Sequence, residues 1–229
     1  LLGDNFYEDG VSSTSDPQWA SKFENMYDPA VLDFPFYAVL GNHDYHLDEQ
    51  AQVDYTTEHP DSRWEMPGRY YSFSQVLPDG TRIDFFGLDG YTMATEDAQL
   101  AWLQAALAES TLAGADWKIV FSHYPLYSNG VHGDNPALIF RLSQPLADGG
   151  ADLYVSEHDH DLQILEPMNG TCFMISGAGS RPRDTQCLEN TVYANNQLGF
   201  MAFRVSNSEL SACVVLEDAV LDFCYTLTK

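Results

Sequence analysis

WKIVFSHYPLYSNGVHGDNPALIFRLSQPLADGGADLYVSEHDH, residues 117–160, reads as strand, loop, helix, strand, loop. Trp117–Ser122 is a short apolar run of strand length that stops at His123. A helix is expected over Asn135–Ala147, and a second buried strand over Leu153–Ser156 that stops at Glu157 and His158. Polar side chains able to hold a cation thus follow the C-terminal ends of strands, where open α/β sheets place their sites.

The same pattern recurs on the N-terminal side. Phe36–Leu40 reads as a buried strand delivering Asn42 and His43, within LGNHDYH (40–46), and LGDNFY (2–7) offers Asp4 and Tyr7 after another apolar start. A helix is expected from Asp16-Pro17, an N-cap followed by Pro at the first helical position, running through Trp19, Phe23 and Met26. Tyr70–Val76, a Pro-Asp-Gly turn and Thr81–Leu88 predict a hairpin. Glu96–Ala108 predicts a helix with Leu100, Leu103, Ala106 and Leu107 on one face. Beyond residue 160 the pattern is β with tight turns. The expectation is one α/β layered domain over residues 1–229, without internal repeats.

The polar residues fit a two-metal site. Two ions about 3.5–4 Å apart clamp the attacking and leaving oxygens of an in-line phosphoryl displacement and need a bridging ligand. Asp4 is the natural bridge. A hard ion takes a carboxylate and a phenolate, from Asp4 and Tyr7, while imidazoles suit Zn, Mn or Fe and come from His123, His158 and His160. His158 and His160 stand at i and i+2, on one face of an extended segment. Asn42 offers an uncharged amide oxygen, which keeps the site open to an anionic phosphate. Each residue also has a plainer role open to it. Tyr7 alone could be an aromatic packed on the core, and His132 could cap the helix near Asn135. His46 and His59 are read as surface or packing residues, and Asp44, Asp134, Asp159 and Asp161 as groups that orient ligands or loops.

GDNFY, GNHD, SHYP, HGD and HDHDLQ, in this order and followed by Ser-Gly-Ala-Gly at 176–179, resemble the purple acid phosphatases of the small, tartrate-resistant type, within the calcineurin-like metallophosphoesterases. The resemblance runs the whole chain. It implies a four-layer α/β/β/α sandwich of two packed mixed sheets. It also implies Fe(III) at Tyr7 and His160, a divalent ion (Fe, Zn or Mn) at Asn42, His123 and His158, and Asp4 between them. His43 and His132 match the histidines that contact the phosphate or leaving group, and are the acid candidates. The implied activity is acid hydrolysis of phosphate monoesters by in-line attack of a metal-bound hydroxide, on a small phosphate ester or a phosphoprotein. Diesters, nucleotides or pyrophosphate are alternative substrates for the same core, and a catalytically silent metal-binding relative is the alternative outside enzymes. The chain departs from the pattern twice. The family's first strand, with a further Asp ligand, would precede Gly3, so the chain is read as N-terminally incomplete; and Glu157 stands where the family usually has Gly, a place where the backbone could want a permissive residue.

The formal charge is −24, with Lys only at 22, 118 and 229. That coat argues against nucleic acid or an anionic membrane as partner, since both demand a basic face. Cys172, Cys187, Cys213 and Cys224 lie in the last quarter with no metal-type spacing. An even number suggests disulfides in an oxidising compartment, hence a secreted or periplasmic protein. Cys213 with Cys224 would join two strands of a hairpin and Cys172 with Cys187 would close a short loop, four free thiols being the other reading. Asn169-Gly-Thr is a glycosylation sequon whose Asn-Gly is equally a hairpin turn.

Overall fold

The computed structural model describes every residue from Leu1 to Lys229. Its β-strands are β1 (Phe36–Tyr37), β2 (Trp64–Glu65), β3 (Tyr71–Val76), β4 (Arg82–Gly87), β5 (Trp117–Phe121), β6 (Leu153–Ser156), β7 (Leu162–Met168), β8 (Thr171–Ser176), β9 (Thr191–Asn195), β10 (Gly199–Val205), β11 (Glu209–Leu216) and β12 (Leu221–Thr228). The α-helices are α1 (Glu49–Glu58), α2 (Gly90–Met93), α3 (Asp97–Leu112) and α4 (Pro136–Gly149).

One mixed sheet of seven strands, ordered β3-β4-β5-β6-β8-β7-β9, organises the chain. The run β4, β5, β6, β8 is parallel, and its two central strands β5 and β6 are buried at every position, as strands covered on both faces must be. Period two divides their side chains. Trp117, Ile119 and Phe121 with Leu153 and Val155 enter one core; Val120 and Tyr154 enter the other, beneath Leu103 and Leu107 of α3 and Leu138, Leu142 and Leu146 of α4. Asn135 caps α4 by accepting from Leu138 N, and Gly150, at φ +64°, ends it in the left-handed conformation that suits glycine.

The first core is closed by β10 and β11 of a separate antiparallel sheet, β10-β11-β12, and by the N-terminal third. The layers therefore agree with the expected mixed α/β sandwich, but the material facing the large sheet is divided. It comprises the three-stranded sheet and the short parallel pair β1-β2, which Leu1 extends through Val39 N donating to its carbonyl. The strand expected over Phe36–Leu40 is regular only at Phe36–Tyr37; beyond it Ala38 N still donates to Glu65 of β2, but Val39 N turns to the carbonyl of Leu1, which lies in no strand.

The first helix is also shorter than expected. Only Trp19–Glu24 is helical, closed by a wide Asn25 N to Ala20 O bond, and Met26 is exposed. Trp19 and Phe23 still reach the core, where Phe6 meets Trp19 edge-on at 4.6 Å and Trp19 stacks on Tyr55 at 3.5 Å. Aromatic contacts of this kind contribute about 0.5–1.5 kcal/mol each beyond burial. They anchor the loop that carries Asp4 and Tyr7.

Cys213 and Cys224 are direct partners across β11 and β12 and form a disulfide. Cys172 and Cys187 do not pair: Cys172 is buried on β8 and Cys187 is exposed on the β8–β9 connection. Asn169 and Gly170, both at positive φ, make the β7–β8 turn.

Candidate metal centre

Parallel register assembles the site. Phe121 on β5 is opposite Val155 on β6, so the loops leaving both strands meet and Glu157 N donates to the His123 carbonyl at 3.0 Å. Asp4 arrives from the N-terminal loop at φ +47°, and His158 is at φ +64°. Left-handed backbone is uncommon outside glycine. The permissive position is thus His158 itself, and not Glu157 as the sequence had suggested. Gly41 is needed for a different reason, because a Cβ there would collide with Asp4 Oδ1 and backbone N.

Two groups of donors face the two oxygens of Asp4. On one side His123 Nε2 lies 3.1 Å from Asn42 Oδ1, 3.0 Å from His158 Nδ1 and 3.6 Å from Asp4 Oδ1. On the other, the Tyr7 hydroxyl donates to Asp4 Oδ2 at 2.7 Å and lies 3.1 Å from His160 Nε2. The first set fits a cation. Donors about 2.0–2.2 Å from one ion in tetrahedral order stand about 3.3–3.6 Å from each other, close to the separations here. His123 Nδ1 is 3.1 Å from the Leu2 carbonyl, so its proton belongs on that side and the Nε2 lone pair faces Asn42 and His158. The second set is oxygen-rich, with one imidazole.

Electrostatics agree. Burial, then the neighbouring His123 and His132, push His158 down to about 3, leaving a neutral imidazole free to donate a lone pair. Burial alone would lower His123 too, but Glu157, Asp4 and Asp44 outweigh it and move the group upward. Burial, followed by the bond to Asp4, raises Tyr7.

The other predicted site residues surround these donors. His43 N donates to Asp4 Oδ1 at 2.9 Å, its Nδ1 contacts the Glu8 carbonyl, and its Nε2 is 4.0 Å from Asp4 Oδ2. His132 does not cap α4. Its Nδ1 is 2.7 Å from Asp159 Oδ1 and its ring lies 4.3 Å from that of His158. Asp44, fully buried, accepts from the backbone N of Asn5, Phe6 and Gly41 and from Gln52 Nε2, tying the Asp4 loop to the Asn42 loop. Asp134 accepts from Ser128 N, and Asp161 from Gln163. His46 pairs with Asp9 at the surface and His59 stacks on Tyr55. Two contacts escaped the sequence reading. Arg183 Nη1 donates to His132 Nε2 at 3.3 Å, and Arg181 pairs with Glu8 at 3.2 Å. The available signal was Arg-Pro-Arg at 181–183 in a chain with ten Lys and Arg in all.

Residues 1–162 match the calcineurin-like phosphoesterase family, and the chain belongs to it. Within that family it is similar to the purple acid phosphatases. It is 32% identical over 199 residues to tartrate-resistant acid phosphatase type 5 of Oryctolagus cuniculus, covering 78% of this chain and 60% of the relative. It is 31% identical over 234 residues to purple acid phosphatase 7 of Arabidopsis thaliana, covering 91% and 69%. The chain thus spans about 60% of the length of the mammalian relatives it matches. Among solved structures, GAP50, the anchor in the inner membrane complex of Plasmodium, superposes with a TM-score of 0.87 at 24% identity, over 99% of this chain and 76% of that one. A purple acid phosphatase from yellow lupin seeds superposes with a TM-score of 0.65 at 15% identity, over 85% and 39%. At those identities the likeness is one of fold.

Proposed function

We propose that residues 1–229 form one catalytic domain, a binuclear-metal acid phosphatase that hydrolyses phosphate monoesters. The observation that carries this reading is the clustering of Asn42 and His158 around His123 Nε2, beside one oxygen of Asp4, and of His160 at the Tyr7 hydroxyl that donates to the other. The oxygen-rich Tyr7 side suits Fe(III) and the imidazole side a divalent Fe, Zn or Mn ion. When bound, such a pair supplies Lewis-acid stabilisation and activation of the attacking water.

The protein's own groups do the rest. Asp4 presents one carboxylate oxygen to each side, and Asn42 adds a donor without adding charge. His132 is oriented by Asp159 through Nδ1, and its Nε2, which accepts from Arg183 here, holds or delivers a proton only when that bond opens. His43, held through Nδ1 at the Glu8 carbonyl, presents Nε2 near Asp4 in the same way. Either can protonate the departing alkoxide. Asp44 and the Phe6–Trp19–Tyr55 cluster keep the two N-terminal loops at fixed separation. The Cys213–Cys224 disulfide supports an oxidising, extracytoplasmic location. A small phosphate ester or a phosphoprotein is the expected partner.

The test is hydrolysis of an aryl phosphate by the purified protein, with and without chelator, beside Asp4→Asn. Chelator-sensitive turnover that Asp4→Asn removes is expected. Turnover that persists in Asp4→Asn at near wild-type rate would overturn the assignment.

A further inference from the structure

Glu157 stands beside a predicted metal ligand without belonging to either donor group. Its carboxylate is one-fifth exposed, and Oε1 lies 3.3 Å from Nδ1 of the fully buried His123, on the ring edge opposite the one that faces Asn42 and His158. No other basic side chain comes within 4.0 Å of that carboxylate. The arrangement is built by the strands: the backbone bond from Glu157 N to the His123 carbonyl fixes the two residues side by side at the ends of β6 and β5. The next carboxylate along, Asp159, faces His132 Nδ1 in the same manner at 2.7 Å. Glu157 and Asp159 therefore each address the Nδ1 edge of a histidine carried by the β5–α4 loop, while His158 and His160, between and after them, join the donor groups.

We propose that Glu157 is a positioning residue for His123, and that through this imidazole it strengthens divalent-cation binding at the Asn42–His123–His158 side. A carboxylate at the far nitrogen of a ligating imidazole fixes the ring and makes it a better donor, an effect worth 10–100-fold in metal affinity. The Leu2 carbonyl takes the Nδ1 proton in hydrogen-bond geometry, so Glu157 acts on His123 mainly through charge. Direct ligation by Glu157 is the competing arrangement, since its carboxylate also lies within 4.8 Å of an oxygen of Asp4.

The proposal rests on the metal-centre reading above, and its test separates the two. Zn²⁺ or Mn²⁺ titrations by calorimetry on the chelator-treated full chain compare wild type, Glu157→Gln and Glu157→Gly, each also in a His123→Ala background. Both Glu157 variants are expected to weaken binding about 10–100-fold, with no change in the melting temperature of the metal-free protein and no further weakening when His123 is already Ala. Affinity within twofold of wild type in both variants would overturn the proposal, as would an equal loss in the His123→Ala background. X-ray absorption of Zn-loaded wild type and Glu157→Gln gives a second readout that does not need the His123 variant to fold. An unchanged set of oxygen and nitrogen ligands is expected, and loss of one oxygen ligand in Glu157→Gln would mean direct ligation. If wild type binds neither ion, the metal-centre reading falls and takes this proposal with it.

Discussion

The two sides of Asp4 differ in how their donors are held. On the histidine side, Asn42, His123 and His158 come from three separate loops and meet at His123 Nε2, with His123 held from its other edge by the Leu2 carbonyl and Glu157. On the tyrosine side, Tyr7 is only three residues from Asp4 and His160 only two from His158, and this pair lines a cavity of about 400 Å³ shared with Lys22, Tyr27 and Glu157. The histidine side is held by contacts among three loops, whereas the tyrosine side joins only two, with Tyr7 and His160 meeting across the chain, and faces open space. Affinity for a cation should track that difference, with the histidine side harder to vacate.

The largest effect belongs to the residue that serves both sides. Asp4→Ala should abolish measurable hydrolysis, a loss beyond the about 10²–10⁴-fold of a single acid–base group, as read by aryl-phosphate turnover. His132→Ala should fall within that range and retain its metal content; a matching loss of metal would make His132 a ligand and erase the distinction between donors and acid. Asp159→Asn should lower turnover in the same direction and less, since it disturbs the orientation of His132 and the bonds from Ser128 Oγ and His132 N without removing the imidazole.

Stability changes are smaller. Asp44→Ala leaves the buried backbone N–H groups of Phe6 and Gly41, and the half-buried one of Asn5, without their acceptor, at about 1–3 kcal/mol for each buried group before relaxation. A loss of about 2–4 kcal/mol in denaturant unfolding is therefore expected, with catalysis impaired through the displaced Asp4 and Asn42 loops. The smallest test concerns the thiols. Burial pushes Cys172 up to about 12, so in the native protein only Cys187 should react with a thiol reagent, and Cys172 should follow on unfolding.

Much of the histidine side was legible in the sequence, because each donor follows an apolar run and strand ends in a parallel sheet converge. The helix α4 was readable because its apolar period matches its burial at Leu138, Leu142 and Leu146, and β5 and β6 because an unbroken apolar run matches burial on both faces. What was not readable depends on tertiary contacts. Whether Phe36–Leu40 stays a strand depends on which neighbours its N–H groups find, and Cys172 failed to pair with Cys187 because β8 buries one while a loop exposes the other. Left-handed backbone fell at His158 and not Glu157, a matter of how the chain leaves β6 that no local pattern encodes. Arg183 reached His132 through a fold-back of the 180–188 segment, where Arg183 N donates to the His160 carbonyl.

The claim that Asp4 joins two distinct cation positions is tested most directly by metal stoichiometry on the full chain after dialysis, in wild type, His123→Ala and His160→Ala. Two ions per chain in wild type and one in each variant are predicted, with the ion kept in His160→Ala held the more tightly. A wild type that holds a single ion, or two variants that lose the same one, would contradict the account.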